Sequence, residues 1–277
     1  MPWPILTLSG KAVDWSWYQN DGIDPYYRPF DVDAFCSAHP YIEFAIIRAV
    51  WPNGTTDQHY AHYYDGFYKN GVRVAAYLWP NPQKTIPAMI ADWKRALGDR
   101  IPKLLVYDYE EATTFIGKTA SQLTSLMTSV WGAVPLAFPD QVHINYSRGS
   151  WLNARIIQGS WINEIRWWLA HYIYPKPDVA LQAKSFAELD ALLPIGNNFT
   201  PYRGTLITEA NVIGWQFSSK GALVPRGSSD MDYFLRSFLD PIYQDAPPPP
   251  PPPPQTLEQR VGVLEREAIS RGWNLAP

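Results

Sequence analysis

Apolar residues along the first 160 positions follow two alternating patterns. Short β-branched and aromatic runs at Ala12–Trp15, Phe44–Ala49, Arg73–Trp79, Leu104–Tyr109 and Val142–Asn145 predict buried strands. Between and after them, the spacing predicts helices over Val32–Ala38, Asp57–Asn70, Thr85–Leu97, Thr119–Val130 and Ser150–Ile157. In the second helix Tyr60, Tyr64, Phe67 and Tyr68 recur at i, i+4, i+7 and i+8, so this face is expected to be buried. Asn70-Gly71 closes that helix and Gly98-Asp99 ends the next. Strand–helix units of about 30 residues imply parallel strands joined by right-handed crossovers. Beyond residue 160 the alternation fades. Arg166–Tyr172 and Val212–Phe217 read as strands, Leu206–Ile207 as a short one, and Phe186–Leu193 as at most a short helix. The expected fold is α/β: one irregular TIM-like barrel over residues 1–245, with five βα units followed by strands with few or no helices.

Pro247–Pro254 is an unbroken run of eight prolines. Such a run forms a stiff polyproline II rod of about 3.1 Å per residue, so residues 246–255 are expected to be a linker. In residues 256–277, Leu257, Val261, Leu264 and Ala268 are spaced 4, 3 and 4 apart, the seam of a short amphipathic helix. It reads either as a surface helix or as a homo-oligomerisation or docking tail, with Trp273-Asn274-Leu275 as an added anchor.

Composition narrows the function. With 46% hydrophobic and 18% charged residues the chain is too apolar for a disordered protein. A net charge of −3 without a basic cluster argues against binding nucleic acid through phosphates. Cys36 is the single cysteine, which excludes an intrachain disulfide framework and multi-cysteine zinc sites. It is expected to be a small buried apolar residue. No apolar run reaches the roughly 18 residues of a membrane span. Met1-Pro2-Trp3-Pro4 does not open a secretory signal. His59 and His62, flanked by Asp57 and Asp65, read as a solvated helix face rather than a metal site. Leu223-Val224-Pro225-Arg226-Gly227-Ser228 looks like a thrombin site but reads as a natural loop, protease-sensitive if exposed.

Active sites of parallel α/β barrels lie at the C-terminal ends of the strands. Those ends carry Asp14, then Arg48 and Trp51, then Tyr77 and Trp79, then Asp108 and Glu110, then Tyr146, then Trp168 and His171, and finally Gln216. Asp108 and Glu110 stand at i and i+2 on one strand and so share a face. Two carboxyls in one pocket split their proton affinities, which suits glycosidic cleavage: one donates a proton to the leaving oxygen while the other faces the cationic centre. Arg48 nearby is expected to lower their pKa values. The aromatic excess, 15% of the chain, supplies flat faces for sugar rings as well as core.

The chain resembles the family 25 glycoside hydrolases, the Chalaropsis-type lysozymes of fungi, bacteria and phage endolysins, from Val13 to Phe234. Val13-Asp14-Trp15-Ser16-Trp17-Tyr18-Gln19 looks like the family's opening motif, and Phe44-Ala45-Ile46-Ile47-Arg48-Ala49 its second strand with Arg where Lys is usual. Asn70-Gly71-Val72-Arg73-Val74-Ala75-Ala76-Tyr77 looks like its third-strand approach and Val106-Tyr107-Asp108-Tyr109-Glu110 its catalytic strand. Trp168-Leu169-Ala170-His171-Tyr172, Gly214-Trp215-Gln216-Phe217-Ser218-Ser219 and Asp230-Met231-Asp232-Tyr233-Phe234 look like its closing strands. Two departures stand out. Val50-Trp51-Pro52-Asn53-Gly54 lacks the family's Glu-Gly, and the third strand ends Tyr77-Leu78-Trp79 rather than Tyr-His-Phe.

The resemblance implies a barrel of five βα units plus three strands and an N-acetylmuramidase cutting the β-1,4 bond between N-acetylmuramic acid and N-acetylglucosamine with retention. Glu110 would be the general acid. Asp108 would stabilise the developing cation or orient a substrate acetamido group. Asp14 and Asp230 would tune the pair and hold substrate. Tyr77, Tyr146, Trp168 and Gln216 would line the cleft; Arg48, Trp51, Trp79 and His171 are further candidates for substrate contact. No metal or cofactor is implied. The partner would be peptidoglycan glycan strands, reached from the cytoplasm by lysis, through a holin, or aboard a particle. The competing readings are a non-catalytic glycan-binding or structural barrel of a phage or injection-type particle, and a glycosidase acting on chitin-like polymers.

Overall fold

The computed structural model describes residues 8–15, 29–40, 42–157, 159–172, 207–221 and 229–244, with the backbone alone at 8–15, 220–221 and 229. Eight strands follow one another around a closed barrel: β1 (Leu8–Trp15), β2 (Phe44–Val50), β3 (Arg73–Leu78), β4 (Leu104–Tyr109), β5 (Val142–Arg148), β6 (Trp167–Ala170), β7 (Val212–Gly221) and β8 (Ser229–Leu235). Neighbours from β1 to β7 pair in parallel, and β8 runs antiparallel to both β7 and β1. Helices α1 (Val32–Ala38), α2 (Tyr60–Lys69), α3 (Ile86–Leu97), α4 (Ala120–Ala137) and α5 (Gly149–Arg155) follow the first five strands in turn. A sixth, α6 (Arg236–Tyr243), follows β8. The chain divides into two compact units, Met1–Pro247 and Pro248–Pro277. The second unit, with the proline run and the amphipathic segment, lies outside the described residues, as do Phe186–Leu193 and the thrombin-like segment.

Local chemistry explains the boundaries. Asp31 caps α1 by accepting the Ala34 N–H at 3.1 Å, and Thr119 with Gln122 forms a reciprocal capping box that starts α4. Gly71 and Gly98 adopt φ of 73° and 56°, the left-handed backbone that stops α2 and α3. Every residue of β2 and β4 is buried. Their apolar runs are continuous because one face fills the barrel and the other lies under helices. Trp93 of α3 packs on Tyr107 from outside at 5.3 Å, while Phe44, Phe234, Trp168 and Tyr146 form a chain of ring contacts inside at 5.1, 5.6 and 4.4 Å. Substituents on Gly214 would collide with this chain: a Cβ there would stand 2.7 Å from the Phe234 ring.

Several expectations need correction. In α2 the buried face is Tyr60, Tyr63 and Phe67, while Tyr68 is exposed and Tyr64 half-buried. A strip of four aromatics cannot show which edge of it meets the barrel. His59 is not solvated but buried, its N–H held by Asp57 Oδ1 at 3.0 Å. Cys36 is only partly buried against the core, which pushes its thiol up to about 12. The third barrel expectation concerns helices. α4 runs past Val130 to Ala137 with Pro135 inside it, and α6 forms around Pro241. Each proline lacks the N–H that would bond the carbonyl four residues back, so each helix carries one unmade bond in its C-terminal half. Ile207 sits in a bend rather than a strand.

Candidate active site

Strand register assembles the site. Partners in adjacent strands share a side of the sheet. The inward face marked by Phe44 and Phe234 therefore continues upward through Arg48 beside Tyr77, Tyr77 beside Val106, Asp108 beside Tyr146, and Tyr146 beside Trp168. Gln216 stands beside Asp232 on β8, and Asp14 is in register with Asp230. Asp14 is thus placed by its backbone position.

Charges from three acids reach the Tyr146 hydroxyl. Tyr146 is buried, and its pKa is driven well above the ordinary 10, first by burial and then by Glu110, Tyr172, Asp108 and Asp230. Tyr146 therefore remains a donor, giving its proton to Gln216 Oε1 at 2.7 Å; Tyr172 donates to the same oxygen at 2.8 Å. Asp108 is buried at the end of β4. Glu110, just past the strand, is partly buried, and desolvation raises its pKa above the ordinary 4.5. Arg148 opposes that rise and Glu111 adds to it. A carboxyl whose proton affinity is raised by burial can in principle act as a general acid near neutral pH.

Arg48 is paired outside the β4 acids. Its Nε pairs with the buried Asp57 at 3.0 Å and its guanidinium lies 3.4 Å from the centre of the Trp51 ring. The cation acting on Glu110 is Arg148. Trp168 donates to Asp232 Oδ1 at 3.0 Å. Trp79 is buried with its ring centre 6.4 Å from that of Phe115, and its indole N–H has no hydrogen-bond partner among the described residues. His171 lies on the opposite side of its strand from Trp168, with its ring 6.5 Å from Trp215.

Arg148, Glu111, Tyr172 and Asp232 were not singled out by sequence reasoning. Asp232 repeats the i, i+2 relation of Asp108 and Glu110 on its own strand. Arg148 lies two residues past Tyr146, beyond the strand end that apolar pattern suggested. A shallow apolar groove between α3 and α4, lined by Ile86, Ile90, Ala133 and Leu136 among others, holds no acid and lies in the outer helix layer. Among the described residues no group of three His, Cys, Asp or Glu side chains is placed to hold a metal ion.

The family model for glycosyl hydrolases family 25 matches residues 13–225. The chain belongs to this family. It is a glycosidase, and Asp108 and Glu110 lie within the matched span, whereas Asp230 lies beyond it. No curated protein sequence matches this family 25 member. Solved structures share its fold. The CTP1L endolysin is 18% identical with a TM-score of 0.58, over 84% of this chain and 69% of that one. The bacterial lysozyme from Streptomyces coelicolor is 16% identical with a TM-score of 0.58, over 82% and 93%. The muramidase from Acremonium alcalophilum is 17% identical with a TM-score of 0.57, over 85% and 99%.

Proposed function

We propose that this family 25 hydrolase is an N-acetylmuramidase that cuts the β-1,4 bond between N-acetylmuramic acid and N-acetylglucosamine in peptidoglycan, with retention of configuration. The observation that carries the reading is the register of the barrel, which puts Asp108 beside the buried Tyr146 at the C-terminal ends of β4 and β5, with Glu110 two residues on and partly buried. Glu110, kept protonated to higher pH by burial, donates to the leaving oxygen. Asp108 faces the developing cation, or orients the substrate acetamido group. Asp14 and Asp230, in register across β1 and β8, hold substrate and tune the pair. Tyr77, Tyr146, Trp168 and Gln216 line the trough. Retention calls for the two carboxyls to stand roughly 5 Å apart. The lysozymes, muramidase and endolysin that share the fold support the choice of polymer. Among the described residues no helix is long and apolar enough to cross a membrane. On this reading the wall is reached by release through lysis, a holin or a particle.

The test is mass analysis of fragments released from purified peptidoglycan, with reducing ends counted and the anomer first formed read by NMR. New N-acetylmuramic acid reducing ends, lost in Glu110→Gln, are expected. Binding without new reducing ends would overturn the assignment in favour of a non-catalytic glycan-binding barrel.

A further inference from the structure

The segment following β2 is unusually well built for a surface loop. The Trp51 N–H bonds the Thr55 carbonyl at 2.9 Å, and the Gly54 N–H returns to the Trp51 carbonyl at 2.8 Å. Asn53 Oδ1 accepts from both the N–H and the hydroxyl of Thr55. Val50 and Thr56 form an antiparallel bridge, and the Asp57 N–H bonds the Ala49 carbonyl at 2.9 Å. Gly54, at φ 86°, lies against the Lys84 and Asp92 pair after β3. The backbone of Trp51 is thereby fixed at the barrel mouth.

Its ring is fixed as well. The Arg48 guanidinium lies 3.4 Å from the ring centre, and Arg48 is itself held by Asp57 at 3.0 Å. Asp57 is anchored in turn, its second oxygen accepting the His59 N–H at 3.0 Å. Arg48 and Asp57 are both buried, whereas the Trp51 ring is partly exposed. A planar cation clamped on an aromatic face removes the ring's rotational freedom before any ligand arrives.

We propose that Asp57 is a positioning residue which, through Arg48, holds the Trp51 ring as a preset stacking platform for a saccharide unit of the glycan other than those flanking the cut bond. Resting on the muramidase reading, this inference deepens it. Location follows from the sheet: β2 and β4 are two strand spacings apart, about 9.6 Å, so Trp51 meets a sugar remote from Glu110. Contact with a remote unit strengthens binding of the ground state and the transition state alike, which changes KM and leaves kcat nearly alone.

The experiment measures initial rates on soluble, uncrosslinked glycan strands prepared from peptidoglycan. Trp51→Ala is expected to raise KM about tenfold with kcat within about twofold, and Asp57→Asn to raise KM by about fivefold. The double variant should have the KM of Trp51→Ala alone. Halving a buried ion pair endangers the fold, so Arg48→Met with Asp57→Ala, which removes both charges together without overfilling the buried Asp57 site, provides a second route and should show the same KM rise. Multiplicative effects of Trp51 and Asp57, or a fall in kcat with KM unchanged, would overturn the inference. Binding of the same strands to Glu110→Gln, with and without Asp57→Asn, tests it without turnover. Equal dissociation constants there sink the platform, whereas absence of reducing ends from the unaltered protein sinks the muramidase reading instead.

Discussion

Arg148, at the end of β5, donates to Glu111 at 3.0 Å, one residue beyond Glu110. This pair sets the proton affinity of the proposed acid from both directions. Burial raises the Glu110 pKa, Arg148 lowers it and Glu111 raises it. A general acid works while protonated, so kcat/KM falls as pH climbs through its pKa. Arg148→Gln removes the opposing cation, and the alkaline limb should move up by about 0.5–1 unit. Glu111→Gln removes a like charge and releases Arg148, and the limb should move down. A pH profile of kcat/KM for both variants checks the signs.

The raised affinity of Glu110 also bears on stability. The folded protein holds this proton more tightly than the unfolded chain, whose ordinary value is 4.5. The folded state therefore loses stability as pH rises from that value through the raised one. Glu110→Gln removes the cost of ionising a buried carboxyl. Calorimetry should find its Tm equal to or above the unaltered protein's at pH 7, with the gap closing towards pH 4.

Gly214 faces Phe234 across β7 and β8, and a Cβ at that position would lie 2.7 Å from the ring. Phe234 has little room to retreat, since Trp168 and Phe44 already lie 5.6 and 5.1 Å from it. Gly214→Ala is expected to cost about 1–3 kcal/mol of unfolding free energy, read from urea denaturation.

Tyr146→Phe deletes a hydroxyl that donates to Gln216 Oε1 and keeps the Tyr172 bond to the same oxygen. A stability loss of about 1 kcal/mol is expected from the missing bond. Because the phenol stays protonated well above pH 10, the loss should be constant from pH 5 to 9 in equilibrium unfolding, unlike the Glu110 effect.

Much of the barrel was readable in the chain. Continuous apolar runs marked β2 and β4 because both faces of a parallel barrel strand are covered, and Asn70-Gly71 and Gly98 marked helix ends through backbone geometry. The two-residue repeat of a strand is what singled out Asp108 and Glu110, although Glu110 lies just past the end of β4. Arg48 did not announce its partner: Asp57 lies nine residues away across a turn that only its own hydrogen bonds define. Likewise α6 was hidden by Pro241, whose tolerance depends on its place within a short helix.

Spacing along one strand is a local property, so the chain alone settled which acids could share a face and that flat aromatic rings would crowd the strand ends. Which charge governs Glu110, which edge of α2 meets the barrel and what clamps Trp51 depend on contacts between strands far apart in the chain. Register and burial decide those contacts, because desolvation and Coulomb forces act through space and are blind to sequence distance.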